Sequence, residues 1–140
     1  IDHGDGMHWV LQLLGVAIGG AFGGAARFWL SGVVARRFGE TFPWGTLVVN
    51  VSGAFAIGVL AALWTERAGH AVLHVPLWTG LVVGVLGSYT TVSSFSLQTL
   101  ALLRDGEYAR AFGNVAGSLL GCLAAVWAGY LLTLHAGSRG

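Results

Sequence analysis

The stretch Gly87–Ser96, GSYTTVSSFS, carries six Ser or Thr residues among its ten, between segments built of Leu and Val. Hydroxyls donate and accept hydrogen bonds without carrying charge, so a cluster of this kind suits ion solvation better than covalent chemistry. Two arrangements are open. A continuous helix would let the hydroxyls bond back to its own carbonyls, leaving only a polar face. A helix broken at Gly87–Thr91 would free backbone carbonyls, which hydrocarbon cannot satisfy and which suit a small cation such as sodium.

Two further polar lines accompany the cluster. Thr46 and Asn50 stand four residues apart and so share one helix face, and Asn114, Ser118 and Cys122 repeat at the same spacing. Such residues commonly bond a neighbouring helix; together with the hydroxyl cluster, they can line a path. No Asp, Glu or Lys lies inside an apolar run. Amide and hydroxyl groups can donate to an anion and replace its water, whereas a metal cation would recruit carboxylates, so a small, strongly hydrated anion is the expected passenger. An aromatic ring edge is electropositive and can face an anion; Phe95 is the first candidate, Phe55 a weaker one. Arg27 is the one charge the first apolar run can bury, either snorkelling to an interface or drawing anions into a vestibule. His70 and His74 have a metal-binding spacing, but two ligands without Cys or carboxylate company make a poor site. Cys122 reads as a small buried hydrophobe.

The elements that must position these groups follow from composition. Of 140 residues, 55% are hydrophobic and 9% charged, with a mean hydropathy of +0.73; soluble domains carry roughly 25% charged residues. A span needs about 20 apolar residues, so the chain accommodates four. They are expected at His8–Arg36, Pro43–Trp64, Val75–Leu103 and Glu107–Leu134, giving an all-α membrane protein. Pro43 and Pro76 stand at span starts, where a missing N–H is tolerated. Short connections make the spans antiparallel neighbours with both termini on one side. Arg67 and Arg139 then share the termini's side, against Arg36, Arg37, Arg104 and Arg110 opposite, a bias too small to exclude insertion in both orientations. All seven basic residues are arginine and the formal net charge is +1, which leaves no basic face for nucleic acid. Residues 1–6 (IDHGDG) read as a cloning remnant ahead of a natural start at Met7, with residues 7–140 one transmembrane domain. The first run lacks an A-x-A cleavage site and reads as a retained span. Glycines at 113, 117, 121 and 129, with Ala125, form a stripe open to close helix approach; Gly15, Gly19 and Gly23 form another.

Three strings then stand out: G-G-A-A-R at Gly23–Arg27, F-P-W-G-T-L-V-V-N at Phe42–Asn50, and G-x-x-G-x-x-T-T-x-S-x-F-S from Gly84 to Ser96. In these, and in its four spans from Met7 onward, the chain resembles the Fluc (CrcB) family of fluoride channels. The resemblance implies an antiparallel, dual-topology homodimer in the bacterial inner membrane, with two fluoride pores and a central sodium ion at third-span breaks. It implies sodium ligation by the carbonyls of Gly87 and Thr90, and fluoride contacts at Asn50 and Phe95. Thr46, Ser93, Ser94 and Ser118 become pore-lining hydroxyls, and Arg27 a vestibule residue. Three positions depart from the family pattern: Val92 replaces the first Phe of a usual pair, Gln98 an acidic residue, and Asn114 a last-helix Tyr. The chain is expected to conduct passively rather than to catalyse. A small multidrug transporter is the alternative four-span reading, but proton-coupled drug export needs an intramembrane carboxylate. Val92→Phe is expected to alter fluoride conductance by restoring the ring pair; an unchanged single-channel conductance would assign position 92 to packing.

Overall fold

The computed structural model describes residues 3–65 and 75–138. Arg67, Arg139, His70 and His74 lie outside the described residues. Among the described residues the chain is all helical, with α1 (His3–Phe38), α2 (Trp44–Thr65), α3 (Pro76–Tyr89), α4 (Val92–Arg104) and α5 (Tyr108–Gly137). Among the described residues, four stretches are long and apolar enough to cross a membrane: Gly6–Phe38, Trp44–Thr65, Pro76–Arg104, which joins α3 to α4, and Tyr108–Gly137.

Local chemistry sets the helix ends. Gly39 takes φ +81° just after α1, a left-handed conformation that costs glycine nothing, and its N–H donates to the Ala35 carbonyl. Gly106, at φ +76°, turns α4 into α5: its N–H reaches Leu103 and that of Glu107 reaches Leu102, the paired bonds of a Schellman stop. Pro76 opens α3, where its absent N–H leaves no intrahelical bond unmade.

Packing departs from the hairpin scheme that short connections suggest. The most extensive contacts join α1 to α3 and α2 to α5, pairs that are not sequential. Gly15, Gly19 and Gly23 meet the backbone near Leu77, Leu81 and Val85 in turn, and Gly80 and Gly84 answer against Gln12 and Val16. Residue numbers rise together on both helices, so the pair is parallel. Gly121 on α5 meets Val51 and, further along, Gly58 on α2 meets Val126 and Tyr130, again in parallel register. Spans that alternate in direction pack parallel whenever every second one touches. The glycine stripe expected on the last span is used only in part: Gly121 and Gly129 receive α2, whereas nothing lies within 4 Å of a Cβ placed at Gly117.

The interior is therefore made of small residues. Val49, Ala54, Ala62 and Ala111 are buried, while large apolar side chains such as Phe28 and Phe112 point outward at 82% and 75% exposure. That inversion is what a hydrocarbon solvent permits. The half-span α4 contributes no buried residue at all.

Gly19→Ala and Gly20→Ala separate close approach from helix propensity. A Cβ at Gly19 meets the Leu81 carbonyl and one at Gly20 meets nothing within 4 Å. Gly19→Ala should cost about 1–3 kcal/mol, and Gly20→Ala should gain up to about 1 kcal/mol. Thermal loss of monodisperse protein in detergent measures both; equal midpoints would refute the packing assignment.

Candidate functional site

The site is organised by the two residues between α3 and α4. Thr90 (φ −79°, ψ 155°) and Thr91 (φ −151°, ψ 124°) are extended, whereas Gly87, expected at the start of a break, is still helical. Several hydroxyls do bond back to their own helix: Thr90 Oγ1 to Leu86 O at 2.8 Å, Thr99 Oγ1 to Phe95 O at 2.7 Å, and Ser88 Oγ to Gly84 O at 2.8 Å. Ser88 Oγ also reaches Gly20 O at 2.8 Å, tying α3 to α1. The two arrangements open to the sequence therefore coexist.

Extended backbone needs new partners, and α2 supplies them. Asn50 Nδ2 donates to Thr91 O at 2.8 Å, and the Thr91 N–H donates to Asn50 Oδ1 at 2.8 Å. One side-chain amide thus satisfies both backbone groups of a single residue. Thr91, 8% exposed, in turn caps α4: its Oγ1 accepts from the Ser94 N–H at 3.2 Å and lies 3.1 Å from Ser93 Oγ. Beside this knot, Tyr89 Oη and Ser52 Oγ are 2.7 Å apart, and a Cβ at Gly53 would meet Thr90.

Two hollows meet at Thr91. On one side is a recess of about 230 Å³ lined by Arg27, Ser31, Thr46, Thr91 and Ser94. It shares Ser31, Thr46 and Ser94 with a wider recess of about 520 Å³ that reaches Gln98, Glu40 and Asp105. Among the described residues, no acidic side chain forms an ion pair with Arg27; the pair present is Arg110–Glu107, at 3.2 Å. On the other side is an open groove of about 710 Å³, mostly apolar, lined among others by Asn50, Gly87, Thr90, Val92, Phe95 and Ser118. Val92 projects into it at 76% exposure.

The expected site residues divide accordingly. Arg27, Thr46 and Ser94 gather in the first hollow, and Asn50, Gly87, Thr90, Val92, Phe95 and Ser118 in the second. Thr46 and Asn50, read as one polar line, thus serve different hollows. Ser93 is exposed and bonds Thr91, and Asn114, 1% exposed, is turned inward, its Nδ2 donating to Thr99 Oγ1 at 2.9 Å. The buried oxygens Asn114 Oδ1 and Gln98 Oε1 have no hydrogen-bond partner among the described residues. Sequence reasoning did not single out Ser31 or Thr91. Ser31 lies one turn beyond Arg27 on the same face, and Thr91 is of a residue type favoured at a helix N-cap.

Four apolar spans around neutral hydroxyls and one arginine define a multi-pass, α-helical integral membrane protein. Comparison with known proteins narrows that class. The family described as "CrcB-like protein, Camphor Resistance (CrcB)" matches residues 14–130, and the chain belongs to it. Among its relatives is Fluoride-specific ion channel FluC 2 of Rhodopseudomonas palustris, 66% identical over 126 residues, 89% of this chain and 95% of that one. Fluoride-specific ion channel FluC of Opitutus terrae is 57% identical over 116 residues, covering 83% and 87%. The protein of that name from Methylocella silvestris is 48% identical over 124 residues, covering 89% and 94%.

Removing the Thr91 hydroxyl tests the cap. Thr91→Val keeps the shape but loses the acceptor for the Ser94 N–H, and should lower stability by about 1 kcal/mol. Thr91→Ser should keep most of it in the same thermal assay, and equal stability of the valine and serine variants would reject the cap.

Proposed function

We propose that the chain is a fluoride-selective channel, working as an antiparallel, dual-topology homodimer with two pores and a central sodium ion. It lets cytoplasmic fluoride leave passively across the bacterial inner membrane, and is not an enzyme. Fluoride enters cells as neutral HF and dissociates in a more alkaline cytoplasm, so a selective pore suffices to release the ion. The observation that carries this reading is the lining of the recess at Arg27. It offers Ser31, Thr46, Thr91 and Ser94 hydroxyls beside one guanidinium, without a carboxylate, in a chain whose relatives are named fluoride-specific ion channels. Arg27 draws the anion in, and neutral donors replace its water. Asn50 uses one Nδ2 hydrogen on Thr91 and keeps the second for a passenger. Phe95 offers a ring edge in the adjoining groove.

The sodium reading rests on two diverted amides. In a continuous helix the Gly87 carbonyl would receive the Thr91 N–H and the Thr90 carbonyl the Ser94 N–H. Here the first goes to Asn50 and the second to Thr91 Oγ1. Gly87 and Thr90 therefore carry the carbonyls that would hold the ion, in a groove of neutral groups. Bound there, sodium would balance the partial negative charge of these oxygens. The same groove supports the dimer: carbonyls released from a helix need protein cover rather than lipid, and no residue of α4 is fully buried within its own chain.

Fluoride efflux from liposomes holding the purified protein, followed with a fluoride electrode and repeated with chloride, tests the function. Rapid loss of fluoride without loss of chloride is expected. Intact dimers that retain both ions would sink the proposal.

A further inference from the structure

We infer that Asn50 is the positioning residue that keeps the third span open, by taking the Thr91 amide away from the Gly87 carbonyl. The argument begins with reciprocity. Thr91 presents one donor and one acceptor, and Asn50 meets both at 2.8 Å through one planar carboxamide. An ionised aspartate has two acceptors and no donor, and leucine of similar size has neither. Asparagine is thus the residue of this size that can stand in for a strand of backbone.

The position of Asn50 is itself fixed. α2 is held to the break by Gly53 against Thr90 and by the Ser52–Tyr89 contact at 2.7 Å, and to α5 by Gly58 and Gly129. Asn50 therefore sits at a set depth beside Thr91 and does not follow the helix if it tries to close. Without its carboxamide, the nearest acceptor restoring regular geometry for the Thr91 N–H is the Gly87 carbonyl, four residues back. That bond would rewind the helix and occupy the oxygen. Asn50, on a different span, thereby governs whether Gly87 can face a cation, a consequence that rests on the sodium reading above.

The test uses the full chain in lipid nanodiscs, with Gly87 carrying a ¹³C-labelled carbonyl. Asn50→Leu should move the Gly87 carbonyl resonance toward the hydrogen-bonded helical range, and should raise the sodium concentration giving half-maximal fluoride flux on the order of tenfold, as losing a bond of this kind does. Asn50→Asp retains an acceptor for the Thr91 N–H, so its Gly87 resonance should stay with the parent. An unmoved resonance in Asn50→Leu overturns the inference, because a residue that only touched the passenger would leave Gly87 alone. If Asn50→Leu does not fold, the unaltered protein decides: a nuclear Overhauser contact between the Thr91 amide proton and the Asn50 carboxamide protons is expected, and its absence overturns the assignment. If the resonance moves while parent flux ignores sodium, the clamp stands and the sodium reading falls.

Discussion

Backbone N–H and C=O groups placed in hydrocarbon must find partners inside the protein, and the rest of this structure follows from that demand. Interrupting a span at Thr90 and Thr91 leaves groups that a continuous helix would have paired. The chain answers with side chains: Asn50 on the backbone of Thr91, and Thr91 on the N–H of Ser94. Each repair diverts an amide from an upstream carbonyl. In a continuous helix those amides would go to the carbonyls of Gly87 and Thr90, residues that line an otherwise mostly apolar groove. Polarity at the centre of the fold is thus made by rearranging backbone bonds rather than by importing charge.

Those repairs require α2 to approach the break closely, and glycine makes that approach possible. Between apolar helices in lipid, the gain comes from close backbone packing rather than from escape from water. Gly53, Gly58 and Gly129 bring α2 to the break and to α5, while Gly15, Gly19, Gly80 and Gly84 join α1 to α3. Large side chains are displaced outward, and both hollows open where small or polar residues leave room. Arg27 sits at the polar end of this arrangement, among hydroxyls from α1, α2 and α4.

Much of this was legible in the residues. Run lengths of apolar sequence located four spans, because the hydrocarbon sets a length that composition must match. The density of Ser and Thr after Gly87 marked the stretch where the third span is interrupted, and family strings picked out Thr46, Asn50 and Phe95 as candidates. Partner choice was not legible. Periodicity shows that Gly19 lies on a packing face but not that α3, rather than α2, occupies it. Nor does spacing reveal that Thr46 and Asn50, one turn apart, face separate hollows, since the helix between them is flanked by different neighbours on each side. Asn114 illustrates the same limit: read by its spacing as part of a polar line with Ser118 and Cys122, it is turned inward to Thr99 because α4 lies against α5 there. The expected break was displaced for a local reason, since the N–H of Thr90 still completes a helical bond to Leu86 and holds Gly87 within α3.

The parallel pairing of non-sequential spans bears on how the molecule is made. During synthesis α1 meets α2 first, but its broad glycine face waits for α3; α2 likewise waits for α5, which follows the other described helices in the chain. The α1–α2 contact, where Gly45 lies against Ser31, can form early, but the closure of α2 onto α5 comes only when translation reaches Gly129. Until then the small-residue face of α2 around Gly58 lacks the partner it has in the finished fold.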